Sequence, residues 1–154
     1  MDLTHHLKLE FNAAGTAFSK WYGLTDEVHQ NLENFRALNR NASPADLSSW
    51  LDNNGGVLDH DTEPAYRALH ADGSLIQHWC KAGLIHREGD LAADIERWAD
   101  GTKLDIWALE GMPTRIGAPA MIERYPDGSG SDTFYENGDL KKTVRVPPTA
   151  RAPG

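Results

Sequence analysis

The sequence has little cysteine, little positive charge and no long apolar run. Cys80 is the only cysteine among 154 residues, so an internal disulfide is excluded and a reducing, cytoplasmic location is expected. No apolar run approaches the roughly 18 residues that a membrane-spanning helix needs. The 15 Lys and Arg residues are outnumbered by 23 Asp and Glu residues, which gives a net charge of −8. So acidic a chain is a poor partner for nucleic acid or anionic lipid, and neither is expected to bind.

The length is that of one compact domain. Residues 1–10 contain an acid at position 2 and no apolar core, so no secretory signal is expected. Residues 146–154 are rich in proline, which predicts a flexible tail after a single domain of residues 1–145.

Three stretches of the chain align without a gap: residues 64–83, 92–111 and 119–138. Each contains Asp-Gly near its middle, an aromatic residue six positions after that glycine, and a second glycine four positions further on. The turn glycines and the aromatic residues that follow them are Gly73, Gly101 and Gly128, and Trp79, Trp107 and Phe134. A repeat of this kind, with Asp-Gly between apolar segments, predicts one β-hairpin per stretch.

Each repeat is predicted to turn through a type I turn closed by a left-handed glycine, which adds a bulge. Tyr125-Pro-Asp-Gly128 supports this, because proline stands at the second turn position, which its fixed φ suits. In the middle repeat the predicted register sets Ile95 opposite Leu104. A two-residue turn would instead set Glu96 against Asp105, and like charges destabilise a cross-strand pair.

A weaker copy of the repeat occupies residues 7–22. Its glycine again stands six positions before an aromatic residue, Trp21, although alanine replaces the aspartate. Asn12-Ala-Ala-Gly15 fits the same bulged turn and would set Leu9 opposite Phe18. The chain is therefore expected to contain four hairpin units, each too small to be stable without its neighbours.

Residues 24–53 interrupt the repeats with the pattern of two helices. Thr25 can cap a first helix, whose apolar face consists of Val28, Leu32, Phe35 and Leu38. Ser43-Pro44, a cap followed by proline, can begin a second helix, whose apolar side consists of Leu47, Trp50 and Leu51. The predicted fold class is α+β: a repetitive antiparallel β-hairpin meander of four units, with a two-helix insert after the first hairpin that covers one sheet face.

The repeats resemble the β-hairpin repeats, related to MORN repeats, of many phage and bacterial proteins. The resemblance rests on an aromatic pair with Asn-Gly, on Leu-His-Arg and on Gly-Pro-Ala, which are matched here by Phe134–Leu140, His86-Arg87 and Ala118-Pro119-Ala120. It covers about residues 64–142. Such repeats generally serve as binding scaffolds, so the resemblance implies a binding function and no catalytic residue.

Negative charge is concentrated in the segment that interrupts the repeats. Residues 25–63 hold eight carboxylates against two arginines, a balance of −6, whereas the three later hairpins are nearly balanced. Such a field steers association with a basic partner, and its alternative role is ordinary solvation. The candidate partner-binding residues are Glu33, Asp46, Asp52, Asp59, Asp61 and Glu63.

Residues with catalytic or metal-binding chemistry are scattered along the sequence. The seven histidines show none of the spacings typical of metal ligands, so no metal site and no cofactor are expected. His78 and Cys80 fall on one side of a predicted strand, but no third group orients such a thiol–imidazole pair, so Cys80 is interpreted as a small buried residue. The aromatic series from Trp79 to Phe134 is interpreted as a buried structural ladder, with an exposed binding stripe as the alternative.

The sequence therefore predicts a non-catalytic protein-binding module rather than an enzyme. The specific expectation is a small acidic inhibitor or adaptor from a phage or mobile element, of the anti-CRISPR or toxin-immunity kind. It would dock on a basic, nucleic-acid-binding protein. Two alternatives stay open: a structural or assembly protein that forms homo-oligomers through its sheet, and a small hydrolase or transferase built on Cys80 and the histidines.

Overall fold

A computed structural model describes residues 1–149; within the predicted tail, residues 150–154 lie outside this range. The first unit and its insert consist of β1 (His5–Ala13), β2 (Thr16–Leu24), α1 (Asp26–Leu38), α2 (Pro44–Asn53) and β3 (Val57–Leu58). The second unit contains β4 (Tyr66–Leu69), β5 (Leu75–His78), β6 (Cys80–Lys81) and β7 (Leu84–Ile85). The third contains β8 (Asp94–Arg97), β9 (Lys103–Ile106), β10 (Ala108–Leu109) and β11 (Met112–Pro113). The fourth contains β12 (Met121–Arg124), β13 (Gly130–Glu136) and β14 (Asp139–Val146).

Ten of these described strands form one antiparallel sheet that follows the order of the chain. Its order is β1-β2-β4-β5-β8-β9-β12-β13-β14, and β3 pairs with β2. Elements that follow each other in the chain usually lie side by side, and tight turns join β1 to β2, β4 to β5, β8 to β9, β12 to β13 and β13 to β14. The predicted α+β meander of hairpins with two helices after the first hairpin is confirmed.

A second row of short hairpins runs beside the main sheet, and the sequence had not predicted it. We call it the tip row; its later members are β6–β7, β10–β11 and the adjoining ends of β13 and β14. Consecutive members are joined by backbone hydrogen bonds, since Gly111 N–H donates to Ile85 O and Gly138 N–H donates to Pro113 O, both at 2.9 Å. Each unit therefore contributes one hairpin to the sheet and one to the tip row.

The helical insert lies at the tip of the first short hairpin. Tyr22 stands opposite Leu58 and Gly23 opposite Val57, the same pairing that β6 and β7 make. Gly83 N–H then donates to Leu58 O at 2.9 Å, as Gly111 N–H donates to Ile85 O one unit later. Residues 24–56 thus replace a two-residue turn, and the insert leaves the repeat on either side of it intact.

The turns of the main sheet are of the predicted type, but the predicted register was wrong by one residue. Gly101 has a left-handed φ of +95° and its N–H donates to Trp98 O at 2.9 Å. Trp98 N–H donates in turn to Thr102 O at 2.8 Å, so three residues lie between the closing pair. Ile95 consequently stands opposite Asp105, because a three-residue loop shifts every pair by one position.

The turn of the first hairpin differs from the prediction. Ala14 and Gly15 both have positive φ, +51° and +81°, which is the mirror-image two-residue turn whose twist matches that of the strands. Leu9 therefore stands opposite Lys20, and Phe18 stands opposite Phe11. Alanine at the first position concealed this turn, since asparagine and aspartate are the residues that signal it.

The two helices begin where their caps predict and bury their apolar sides on β1 and β2. Thr25 Oγ1 accepts from Val28 N at 3.3 Å, and Ser43 and Asp46 form a reciprocal capping box. The enclosed core consists of Leu9, Tyr22, Leu24, Leu32, Leu47 and Leu51. Leu38 was expected on the buried face but is 85% exposed, because it ends the last turn of α1. Neither helix in residues 1–149 is long and apolar enough to span a membrane.

Candidate functional site

The three tryptophans of the repeat occupy equivalent places at the junction of the main sheet and the tip row. The backbone N–H of each donates to the carbonyl of an alanine just before the next hairpin, at 2.7, 2.7 and 2.8 Å for Trp21 to Ala65, Trp79 to Ala93 and Trp107 to Ala120. Trp79 is 8% exposed, whereas Trp21 and Trp107 are half-buried. The aromatic position therefore ties each unit to the next through its backbone.

Each of these aromatic rings is covered by a cationic or imidazole side chain from the same unit. The ring-to-group distances are 4.4 Å for Trp21 and His60, 3.8 Å for Trp79 and Arg87, 3.8 Å for Trp107 and Arg115, and 4.6 Å for Phe134 and Lys142. We call this series the cation–π ladder. Since one ring face is already occupied, the geometry favours a structural ladder over an open aromatic stripe.

The residue preceding each of the first three ladder groups accepts a hydrogen bond from the next short hairpin. Asp59 Oδ1 accepts from Ala82 N at 2.7 Å, His86 Nδ1 from Glu110 N at 2.9 Å, and Thr114 Oγ1 from Asn137 N at 3.0 Å. Asp59 is 8% exposed, and its Oδ2 lies 2.7 Å from His6 Nε2. Its expected place on an exposed binding surface was therefore wrong, and its contacts link two units.

The other candidate partner-binding carboxylates are exposed, but four of the five are engaged within the chain. Asp46 Oδ2 accepts from Ser43 N at 3.0 Å. Asp52 Oδ1 accepts from the Tyr22 hydroxyl at 2.8 Å, and Glu63 Oε1 lies 3.7 Å from Lys8 Nζ. Glu33 Oε1 lies 3.8 Å from Arg36 Nη1, whereas Asp61 is exposed and forms no ion pair with any residue from 1 to 149.

The proposed thiol–imidazole pair has the wrong surroundings for nucleophilic chemistry. Cys80 is 3% exposed, and burial raises the pKa of its thiol to about 11. The thiolate is the reactive form, so little nucleophile is present at neutral pH. His78 instead stands opposite Asp94 in the neighbouring strand, with Nε2 3.3 Å from Oδ1, and the Asp94 carboxylate raises the pKa of His78.

A compact polar cluster lies on the main sheet where β5 meets β8. One ligand-type atom each of His78, Asp94 and Glu96 lies within 4.8 Å of the other two. Burial, together with the adjacent Asp94 carboxylate, raises the pKa of Glu96. Sequence reasoning missed this cluster because His78 and Asp94 belong to different units, and only the strand register brings them together.

A groove of about 740 Å³ lies along the tip row, lined mainly by the third unit and by the segment that follows the second, with two residues of the fourth unit at one end. We call it the tip groove; its lining includes the apolar Leu109, Met112 and Ile116 and the carboxylates Glu88, Glu110 and Glu136. An equivalent groove of about 690 Å³ lies one unit earlier, beside Trp79 and Arg87. The spacing of the repeat thus produces two successive concave sites.

Comparisons with protein-family models, with curated proteins and with solved structures find no match for this chain.

Proposed function

We propose that the chain is a non-catalytic protein-binding module that docks on a basic, nucleic-acid-binding protein through the tip groove. The observation that carries the proposal is an exposed apolar strip along the tip row. Its members and their exposed fractions are Leu84 49%, Leu109 40%, Met112 45% and Ile116 94%. Exposed apolar patches with a polar rim mark sites of protein interaction.

Charge around the strip favours a basic partner. Glu88, Glu110 and Glu136 line the same groove and are exposed. The two arginines that line the groove are turned onto tryptophan rings: Arg87 covers Trp79, and Arg115 covers Trp107, both at 3.8 Å. Arg115 Nε also donates to Asp90 at 2.9 Å, and its side chain is only 18% exposed. The groove therefore presents carboxylates to solvent, which is the complement of a basic surface.

The strip is held in place before any partner arrives. Leu84 and Met112 pack on the turn glycines of the following units, where a Cβ on Gly111 or Gly138 would lie 3.5 or 3.6 Å from their atoms. A preformed surface lowers the ordering cost of binding. The resemblance of the units to MORN-like hairpin repeats supports the same scaffold function, and a phage or mobile-element inhibitor is its specific form.

Affinity capture with matched variants tests the proposal. The tagged chain, Ile116→Lys and Leu38→Lys are exposed to nuclease-treated lysate of the source organism, and captured proteins are identified by mass spectrometry. Both substitutions add a lysine at a highly exposed apolar position, 94% and 85% exposed, but only Ile116 lies in the strip. We expect the wild type and Leu38→Lys to capture a basic nucleic-acid-binding protein that Ile116→Lys does not capture. We also expect the wild type to displace that protein from DNA. Equal capture by both variants, or no basic partner, would contradict the proposal.

The insert contributes through long-range attraction. Glu33→Lys with Asp61→Lys changes two of the exposed candidate carboxylates. Surface plasmon resonance with the captured partner should show slower association and a shallower salt dependence, with dissociation nearly unchanged. An unchanged association rate would show that the charge of the insert serves solvation alone.

Self-association is a second candidate, favoured by the last strand of the sheet. β14 forms an edge of the described sheet, and every residue from Asp139 to Arg145 is exposed. An open edge offers unpaired backbone groups to another strand, but Lys141, Lys142 and Arg145 discourage pairing between two copies. Light scattering across a concentration series tests this candidate, and a monomer throughout would contradict it.

A further inference from the structure

We propose that His78, Asp94 and Glu96 form a binding site for one divalent transition-metal cation, with Zn²⁺ as its probe. The site lies on the main sheet, away from the tip groove, and it is independent of the protein-binding function.

The three side chains converge although they come from two strands. His78 ends β5, and Asp94 and Glu96 lie two residues apart on β8, so all three fall on one face of the sheet. His78 Nε2 lies 3.3 Å from Asp94 Oδ1, close to the separation of about 3.4 Å between two ligands that each lie about 2.1 Å from a tetrahedral ion. The three atoms all lie within 4.8 Å of one another, so the flexible Glu96 side chain needs to move inward by little more than about 1 Å.

The carboxylate of Asp94 is buried and incompletely paired. The Asp94 side chain is 8% exposed, and its buried Oδ1 faces His78 Nε2 at 3.3 Å without a well-directed hydrogen bond from that nitrogen or from any other residue of the described chain. No Lys or Arg among residues 1–149 forms an ion pair with Asp94 or Glu96. A buried carboxylate oxygen without a donor is costly, and a cation placed between the three side chains would satisfy it.

Comparison with the next repeat shows that the fold does not require this cluster. The cross-strand pair equivalent to His78 and Asp94 one unit later is Ile106 and Met121. The same place in the sheet is therefore built with an apolar pair, whereas Glu96 has an equivalent in Glu123. His78 and Asp94 therefore stand where the next repeat has apolar residues. Polar residues at such places, which the fold does not require, indicate a binding function.

The chemistry of the donors selects the class of ion. One imidazole nitrogen with two carboxylate oxygens suits first-row divalent cations such as Zn²⁺ better than Ca²⁺ or Mg²⁺, which prefer oxygen ligands alone. Water would complete the coordination, because three protein ligands leave at least one position open.

Calorimetric titration of the full chain with Zn²⁺, together with Co²⁺ absorption spectra, tests the proposal. The variants are Asp94→Asn, Glu96→Gln and the double variant His78→Ile with Asp94→Met, which copies the apolar pair of the next repeat and so keeps the fold. His29→Ala is the control, since His5 and His29 stack 3.8 Å apart beside Asp26 and are the most obvious alternative ligands.

We expect the wild type and His29→Ala to bind one Zn²⁺ with equal affinity and to melt at a higher temperature when it is added. Each single cluster variant should bind roughly tenfold or more weakly, since even the loss of an outer-sphere partner costs about that much. The double variant should keep its melting temperature without Zn²⁺ and lose the Co²⁺ spectrum. The proposal is overturned if the wild type binds no Zn²⁺, if the folded double variant binds it as tightly, or if only His29→Ala loses it.

Discussion

The first unit and the later units extend the same sheet but have different interiors. Under the two helices the buried side chains are large, and they meet in one cluster: Leu9, Tyr22, Leu24, Leu32, Leu47 and Leu51. In the later units most buried apolar residues are alanines, namely Ala65, Ala68, Ala92, Ala93, Ala108 and Ala120, beside Trp79 and Cys80. A sheet can thus be stabilised by one large apolar cluster at one end and by small repeated contacts along the rest.

The repeated contacts are of three kinds: two join neighbouring units, and one lies within each unit. A tryptophan N–H donates to an alanine carbonyl, a cationic or imidazole group covers the aromatic ring, and the residue before that group accepts a hydrogen bond from the next turn. Each contact stabilises only its own unit or junction, as in other repeat proteins, where neighbouring units interact pairwise. The stability of the first unit should therefore depend mainly on the volume of its buried side chains. The stability of the later units should depend mainly on these individual repeated contacts.

The largest effect is expected from a cavity in the helix-covered core. Leu32 is 1% exposed and Leu38 is 85% exposed, although both lie on α1. Leu32→Ala should lower the free energy of unfolding by about 2–5 kcal/mol, because it removes packed methyl groups. Leu38→Ala should change it by less than about 0.5 kcal/mol. Urea denaturation measures both, and similar losses would mean that the helices do not pack as described.

The second largest loss of stability is expected when an aromatic residue of the cation–π ladder is removed. Trp107→Ala should cost about 3 kcal/mol, the lower end of the range for buried aromatic residues, because the ring is half-buried. Trp98→Ala, at a turn residue that is 40% exposed, should cost about 1 kcal/mol or less. A double-mutant cycle with Arg115→Ala should give a coupling of about 0.5–1 kcal/mol for the stacked pair. A coupling near zero would show that the ladder stabilises through burial alone.

Loss of the hydrogen bond that Asp59 accepts should lower the stability by a smaller amount. Asp59→Ala leaves the Ala82 N–H without its acceptor and should cost about 1–3 kcal/mol. Asp61→Ala, two positions away and exposed, should change stability by no more than about 0.5 kcal/mol. Thermal unfolding followed by circular dichroism compares the two, and equal melting temperatures would remove the structural role given to Asp59.

The smallest effect, and a stabilising one, is expected at the tip-row turns. Ala82 and Glu110 have φ values of +49° and +50°, which Asn137 also adopts in the fourth unit. Asparagine tolerates this conformation better than alanine, so Ala82→Asn should raise the free energy of unfolding by about 0.5 kcal/mol. Asn137→Ala should lower it by a similar amount. The same sign in both measurements, or a loss of stability in Ala82→Asn, would contradict the turn type.

The tip row escaped prediction for a local reason. Its strands contain only two paired residues each in the second and third units, so alternation of apolar and polar residues cannot be detected. Two of its turns are Ala82-Gly83 and Glu110-Gly111, and neither has the Asn-Gly signature that Asn137-Gly138 carries. The exposed strip on the tip row was therefore also absent from the predicted binding residues.

The sequence by itself determined the hairpin units, the two capped helices and their place after the first hairpin. These features depend on neighbours in the chain: an Asp-Gly turn, a capping serine, an apolar residue every third or fourth position. Only the tertiary structure decided that Asp59 is buried, that Arg115 covers Trp107, and that His78 meets Asp94 and Glu96. Asp59 and His78 meet partners from other units, and Arg115 meets Trp107 across a short hairpin of its own unit. Strand register determines all of these contacts. Because a shift of one residue moves every side chain to the other face of a sheet, no local pattern could specify which of them would meet.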